Sequence, residues 1–147
     1  MRAFSDLLHS LLYAPQRLVK QAYLVQFIKN TPDPDRGYVL SALTGELSIK
    51  GVKAGLVRQI AYQKCDPILF DLSYDFVGDL AETTALIWPK ADNENIDVKV
   101  SNVIRELQNL SRLDAGNYLQ RLLDQMPEVQ RWALLKLVTG GLRVGVS

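Results

Sequence analysis

Phe4-Ser5-Asp6-Leu7-Leu8-His9-Ser10-Leu11-Leu12 opens the chain with apolar residues at i, i+3, i+4, i+7 and i+8. That spacing lines all five along one face of an α-helix. Pro15 closes the helix. The same period recurs outward along the chain. Leu18, Ala22, Val25 and Ile28 share a face over residues 18–28. Val52, Leu56 and Ile60 do so over 51–64, and Val100, Val103, Ile104, Leu107 and Leu110 over 98–110. Short helices are expected over 38–43 and 80–88. Asp66-Pro67 starts another, with proline in the first turn, running through Ile68, Leu69, Leu72 and Phe76. The last two helices are expected over 117–126 and 127–138. Alternation of period two is essentially absent, so the fold class is all-α, a single multi-helix domain with short glycine-containing turns.

Punctuation residues divide the helices. Residues 31–37 hold Pro32 and Pro34 and read as a loop. Gly45 and Gly78 end helices, and Asp79 can cap the next one. Residues 89–97 are polar and read as a loop, and residues 111–116 as a turn.

Composition sets limits on function. The chain has 147 residues, 48% hydrophobic and 22% charged, enough for one domain with a real core. Its one cysteine, Cys65, excludes an internal disulfide, and one histidine with one cysteine makes a poor zinc set. No stretch reaches the roughly 18 apolar residues of a membrane span, and Asp6 interrupts the start too early for a signal peptide. A cytoplasmic domain that contacts no membrane is expected.

Net charge is +1, but it is segregated. Residues 1–30, 44–64 and 98–147 each carry +3, whereas 65–97 carry eight acids against Lys90. Converging basic blocks would form a patch for a polyanion. Spread over separate solvated faces, the same charges would do nothing in common.

Two segments echo one another. Leu43-Thr44-Gly45-Glu46-Leu47-Ser48-Ile49-Lys50 aligns with Val138-Thr139-Gly140-Gly141-Leu142-Arg143-Val144-Gly145, sharing Thr, Gly and Leu. Each follows a helix and places glycine beside basic residues, Lys50 and Lys53 in one and Arg143 in the other. Glycine lets a bulky anion approach the main chain, and amides at such turns favour phosphate. Two such turns related by an approximate internal two-fold suit the two strands of a duplex. The alternative is a pair of plain helix caps.

Catalytic constellations are not found. There is no phosphate loop of the Gly-x-x-x-x-Gly-Lys type and no Gly-x-Ser-x-Gly elbow. His9 has no evident triad partner. Asp71, Asp75 and Asp79 read as a solvated acidic edge with a helix cap. Cys65 reads as a half-buried thiol, although Lys64 beside it would favour a thiolate. Trp88 and Trp132 are expected in the core.

The run from Glu128 to Gly145, with Arg131-Trp132, an apolar helix and Gly140-Gly141-Leu142-Arg143-Val144-Gly145, resembles the end of a known domain. That domain is the N-terminal DNA-binding domain of ATP-dependent DNA ligases of the bacterial type. Gly78-Asp79-Leu80-Ala81-Glu82 is similar to the family's Gly-Asp-Leu-Gly-Glu/Asp motif, with Ala81 in place of glycine. Leu47-Ser48-Ile49-Lys50-Gly51-Val52 stands where the family has its first, repeat-related loop, and Phe4-Ser5-Asp6-Leu7-Leu8 suits its first helix. The resemblance covers the chain in order.

The resemblance implies a helical domain with an internal pseudo-two-fold that lies along the minor groove of nicked double-stranded DNA. Carried over by position, the DNA-binding candidates are Thr139, Gly140, Gly141, Leu142, Arg143, Val144 and Gly145, with Lys50, Gly51, Val52 and Lys53. It also implies that residues 1–147 are one domain of a longer nick-sealing enzyme of DNA repair, replication and recombination. The adenylyltransferase and OB-fold domains would lie beyond residue 147. ATP and Mg2+ would serve that parent enzyme and not this domain. The domain is expected to be monomeric, inactive alone and nucleoid-associated in the cytoplasm. The family's adenylated lysine sits in Lys-x-Asp-Gly. The nearest string here, Lys64-Cys65-Asp66-Pro67, has proline for glycine and reads as a coincidence. The competing expectation is a helical protein-interaction module without DNA affinity.

Overall fold

The computed structural model describes residues 1–49, 51–90, 97–140 and 142. Among them the chain forms nine helices and no strand: α1 (Arg2–Tyr13), α2 (Arg17–Asn30), α3 (Asp35–Leu43), α4 (Ala54–Lys64), α5 (Pro67–Val77), α6 (Leu80–Ile87), α7 (Val100–Asn109), α8 (Arg112–Asp124) and α9 (Glu128–Thr139). The all-α expectation is met.

α9 is the central helix. Ala133, Leu134, Leu135, Leu137 and Val138 are all buried along one broad side, while Glu128 and Val129 stay exposed. α6 packs on one side of it and α1 on another. α1 turns Phe4, Leu7, Leu8 and Leu11 inward, the face its spacing predicts, while Leu12 stays exposed. α2 lies on α1, α3 on α7, and α4 joins α5, α6 and α8. One continuous core runs from Phe4 through Val57, Ile104 and Leu119 to Leu134.

Capping fixes several ends. Asp66 accepts from the Ile68 N–H at 2.9 Å, with Pro67 in the first turn of α5. Lys99 gives α7 no side-chain cap, and Asp35 of α3 accepts from the Ser101 N–H instead, at 3.1 Å. That bond ties α3 to α7 through an orphan donor of the α7 first turn.

Two expectations are corrected, at residues 111–116 and at Trp132. Residues 111–116 are not a turn. Ser111 caps α8 by accepting from the Asp114 N–H at 3.2 Å, and Gly116 lies inside the helix. A Cβ on Gly116 would stand 3.3 Å from Leu56 Cδ1 and 3.5 Å from Ile60 Cγ2, so this glycine allows close approach of α4 and is no breaker. α2 buries Phe27, leaving Leu18, Ala22 and Val25 in solvent. α5 buries Phe70, while Ile68, Leu69, Leu72 and Phe76 are exposed. Trp88 is buried as expected, but Trp132 is only half-buried.

Candidate nucleic-acid interface

Each echo segment begins where a helix runs out. Gly45 follows α3 with φ +80°, and Gly140 ends α9 with φ +74°. Both lie in the left-handed region, where only glycine is free of strain. Nothing stands within 4 Å of where a Cβ on either would be, so conformation and not crowding requires the glycine.

The preceding threonines both bond back to their own helix, Thr44 three residues back and Thr139 four. Thr44 Oγ1 donates to the Ser41 carbonyl at 3.2 Å, and Thr139 Oγ1 donates to the Leu135 carbonyl at 2.6 Å. After Gly45, the Glu46 and Leu47 N–H groups both bond back to the Ser41 carbonyl, at 2.9 and 3.1 Å, closing the helix in a Schellman-type cap. The aligned leucines both turn inward. Leu142 is buried, and Leu47 packs half-buried against the same core. Sequence likeness over a 95-residue offset therefore corresponds to a shared left-handed glycine and an inward leucine, with helix closure that differs by one residue in its hydrogen bonds.

The other predicted residues divide into anchors and exposed groups. Val52 and Leu142 have buried side chains, so they can offer a ligand only main chain. Gly51, at φ +86°, is exposed with open space around it. Lys53 is exposed at the N-cap of α4. That helix has no side-chain cap and no acid in its first turn, so its first N–H groups and its positive dipole end are uncompensated by side chains. Lys50, Gly141, Arg143, Val144 and Gly145 lie outside the described residues.

Sequence reading missed Arg112. Its Nη2 lies 3.9 Å from where a Cβ on Gly55 would stand, which brings a guanidinium from α8 to the first turn of α4. Only the packing of α8 on α4, permitted by Gly116, reveals this. A lone arginine after a serine carries no sequence signal for it.

The Gly78-Asp79-Leu80 motif has a structural role. Gly78 ends α5 at φ +79°, and Asp79 caps α6 by accepting from the Glu82 N–H at 2.8 Å. The other Asp79 oxygen accepts from Lys136 Nζ on α9. Burial pushes the Asp79 carboxyl up. Hydrogen bonds from Lys136 and the Glu82 and Ala81 N–H groups, with the Lys136 charge, outweigh burial and hold it below the ordinary value. The motif thus locks α6 to α9 one turn before Thr139-Gly140.

Two substitutions separate these contributions. Asp79→Asn keeps a capping oxygen and loses the ion pair, at a cost of about 1 kcal/mol for a partly solvated pair. Asp79→Ala loses the cap too, for about 2 kcal/mol in all. The lowered carboxyl fixes the sign with pH. Its stabilisation is present above the unfolded-state value and lost as pH falls through the lower folded value. In thermal unfolding, the wild-type advantage over Asp79→Asn should hold at neutral pH and close below the ordinary aspartate range.

Lys64 and Cys65 are engaged in contacts between helices, and Asp66 in the cap of α5. Lys64 Nζ lies 2.9 Å from Asp124 Oδ1 and 6.0 Å from the Trp88 ring centroid. Trp88 Nε1 donates to the same Asp124 oxygen at 2.9 Å. Burial pushes the Cys65 thiol up, against Lys64 and Arg131 nearby, and Asp66 is spent on the α5 cap. The string joins two helices and pins α4 to α6 and α8. No three of His, Cys, Asp and Glu converge among the described residues, and no described helix is long and apolar enough to cross a membrane. Comparison of the chain with family models finds no match, and none is found among curated proteins.

Proposed function

We propose that this chain is the DNA-binding domain of an ATP-dependent DNA ligase, holding nicked duplex by its backbone phosphates without reading sequence. The observation that carries the reading is the common form of the two Thr-Gly segments. Each closes a helix on a left-handed glycine, back-bonds its threonine and seats a leucine in the core. One copy leads into the bare N-terminus of α4, where Lys53 and Arg112 add positive charge. The other leads into Arg143 and Gly145. Main-chain amides beside bases suit phosphate oxygens and carry no base information. The buried Leu142 and Val52 would hold the turns rigid beneath the DNA.

On this reading the parent enzyme supplies the adenylated lysine, ATP and Mg2+ from other domains, and this domain positions the nick. It acts as a monomer in the cytoplasm, on nucleoid DNA. Titration of the 147-residue chain into a labelled nicked duplex, followed by fluorescence anisotropy, tests it. Log K should fall by about 0.9 per phosphate contacted for each decade of salt. Affinity indifferent to salt would remove the phosphate contacts from the account.

A further inference from the structure

α5 is fastened by one face only. Phe70 is fully buried and meets Tyr62 of α4 edge-on, with ring centroids 5.4 Å apart. Arg58 of α4 stands over the Tyr74 ring at 4.8 Å, and the Tyr62 hydroxyl donates to Asp71 Oδ1 at 2.5 Å. These contacts hold the helix in place and fix its rotation.

The opposite face is apolar and bare. Ile68, Leu69, Leu72 and Phe76 are 72, 54, 64 and 94% exposed. At 100° per residue, Ile68, Leu72, Phe76 and Leu69 fall within one arc of about 100°, and Asp75 and Asp71 line one edge of that arc. Monomers seldom leave such a contiguous apolar stripe in water unless something covers it. The surrounding sequence is acidic. Residues 65–97 carry eight acids and one base.

We propose that the α5 face docks a basic amphipathic helix of a protein partner. The partner's apolar side chains would cover the stripe, anchored on Phe76. Its lysines or arginines would reach Asp71 and Asp75 along the flank. Ile68, Leu72 and Phe76 form one i, i+4, i+8 ridge, the kind that packs into the groove of a facing helix. The acidic edge selects a basic helix over an acidic one and rejects DNA, so this surface is distinct from the phosphate-binding turns. The proposal does not rest on the ligase reading.

The probe is a fluorescein-labelled 18-residue Leu–Lys amphipathic peptide, beside a Leu–Glu peptide with the same apolar positions. Anisotropy should show the Leu–Lys peptide binding at least about tenfold more tightly than the Leu–Glu peptide. Phe76→Ser and Asp75→Lys should each weaken the Leu–Lys peptide at least about fivefold. Both residues are exposed, so circular dichroism should be unchanged. Leu18→Ser, on the exposed face of α2, should leave binding as in the wild type. Equal binding by Phe76→Ser, or equal binding of both peptides, would overturn the proposal. So would sedimentation showing a wild-type dimer that Phe76→Ser dissolves, since a second copy would then be the occupant.

Discussion

Arg131→Met is expected to cost about 3 kcal/mol and to lower the thermal midpoint by roughly 10 °C. Arg131 is buried within α9, and its Nη1 donates to the Trp88 and Pro89 carbonyls, each at 3.1 Å. Both carbonyls lie just past the last residue of α6, at the negative end of its dipole, where a cation is favoured. Methionine keeps most of the volume and the buried stem but donates nothing. Two buried or half-buried acceptors then lose their partner, at about 1–2 kcal/mol each. Arg131→Lys should recover part of the loss, because an ammonium can reach one carbonyl. The measurement is calorimetric unfolding of the three proteins side by side. An Arg131→Met protein within 1 °C of wild type would show that the α6 end is held by other contacts.

Gly116→Val is expected to destabilise by about 2 kcal/mol. The Cβ alone would need Leu56 to give by a few tenths of an ångström. Valine adds two methyls to a Cβ already tight against Leu56 and Ile60, and its β-branch is stiff in a helix. Gly116→Ala separates the two effects. It meets the same tight Cβ contact but regains up to about 1 kcal/mol of helix propensity, so it should sit near wild type. Valine should also move Arg112 away from Gly55 and weaken DNA binding more than its stability cost alone explains. Urea unfolding of both variants checks the first claim, and anisotropy on nicked duplex checks the second. Equal stability of the valine and alanine variants would contradict the packing described for α4 and α8.

The helix period made the all-α fold legible, because α1, α7 and α9 carry enough apolar positions on one side to fix their inward faces. It fails for α2 and α5. Both carry apolar residues around more than half their circumference, and periodicity cannot say which arc meets the core. In α5 a single large aromatic, Phe70, decides it by fitting against Tyr62 and Arg58. Gly116 misled for a different reason. A helix-breaking glycine and a close-packing glycine are identical in sequence, and only the neighbouring Leu56 and Ile60 distinguish them.

The candidate interface shows the same division. The glycines at 45, 78 and 140 were legible as turns because a left-handed φ is a local demand that names its own residue. The convergence of Arg112 with the α4 N-terminus was not, since it depends on two helices packing. Asp79 was legible as a cap, but its bond to Lys136, 57 residues away, was not.

The most direct measurement is anisotropy of a labelled nicked duplex at low salt with wild type, Lys53→Glu, Arg143→Glu and the double variant. One base is reversed at each turn, and Lys53 is exposed at the start of α4. Each single variant should weaken binding by about tenfold, and the double variant by roughly the product, as separate phosphate contacts require. Flat anisotropy for wild type, or four equal affinities, would contradict the account and return both glycine turns to the role of helix caps.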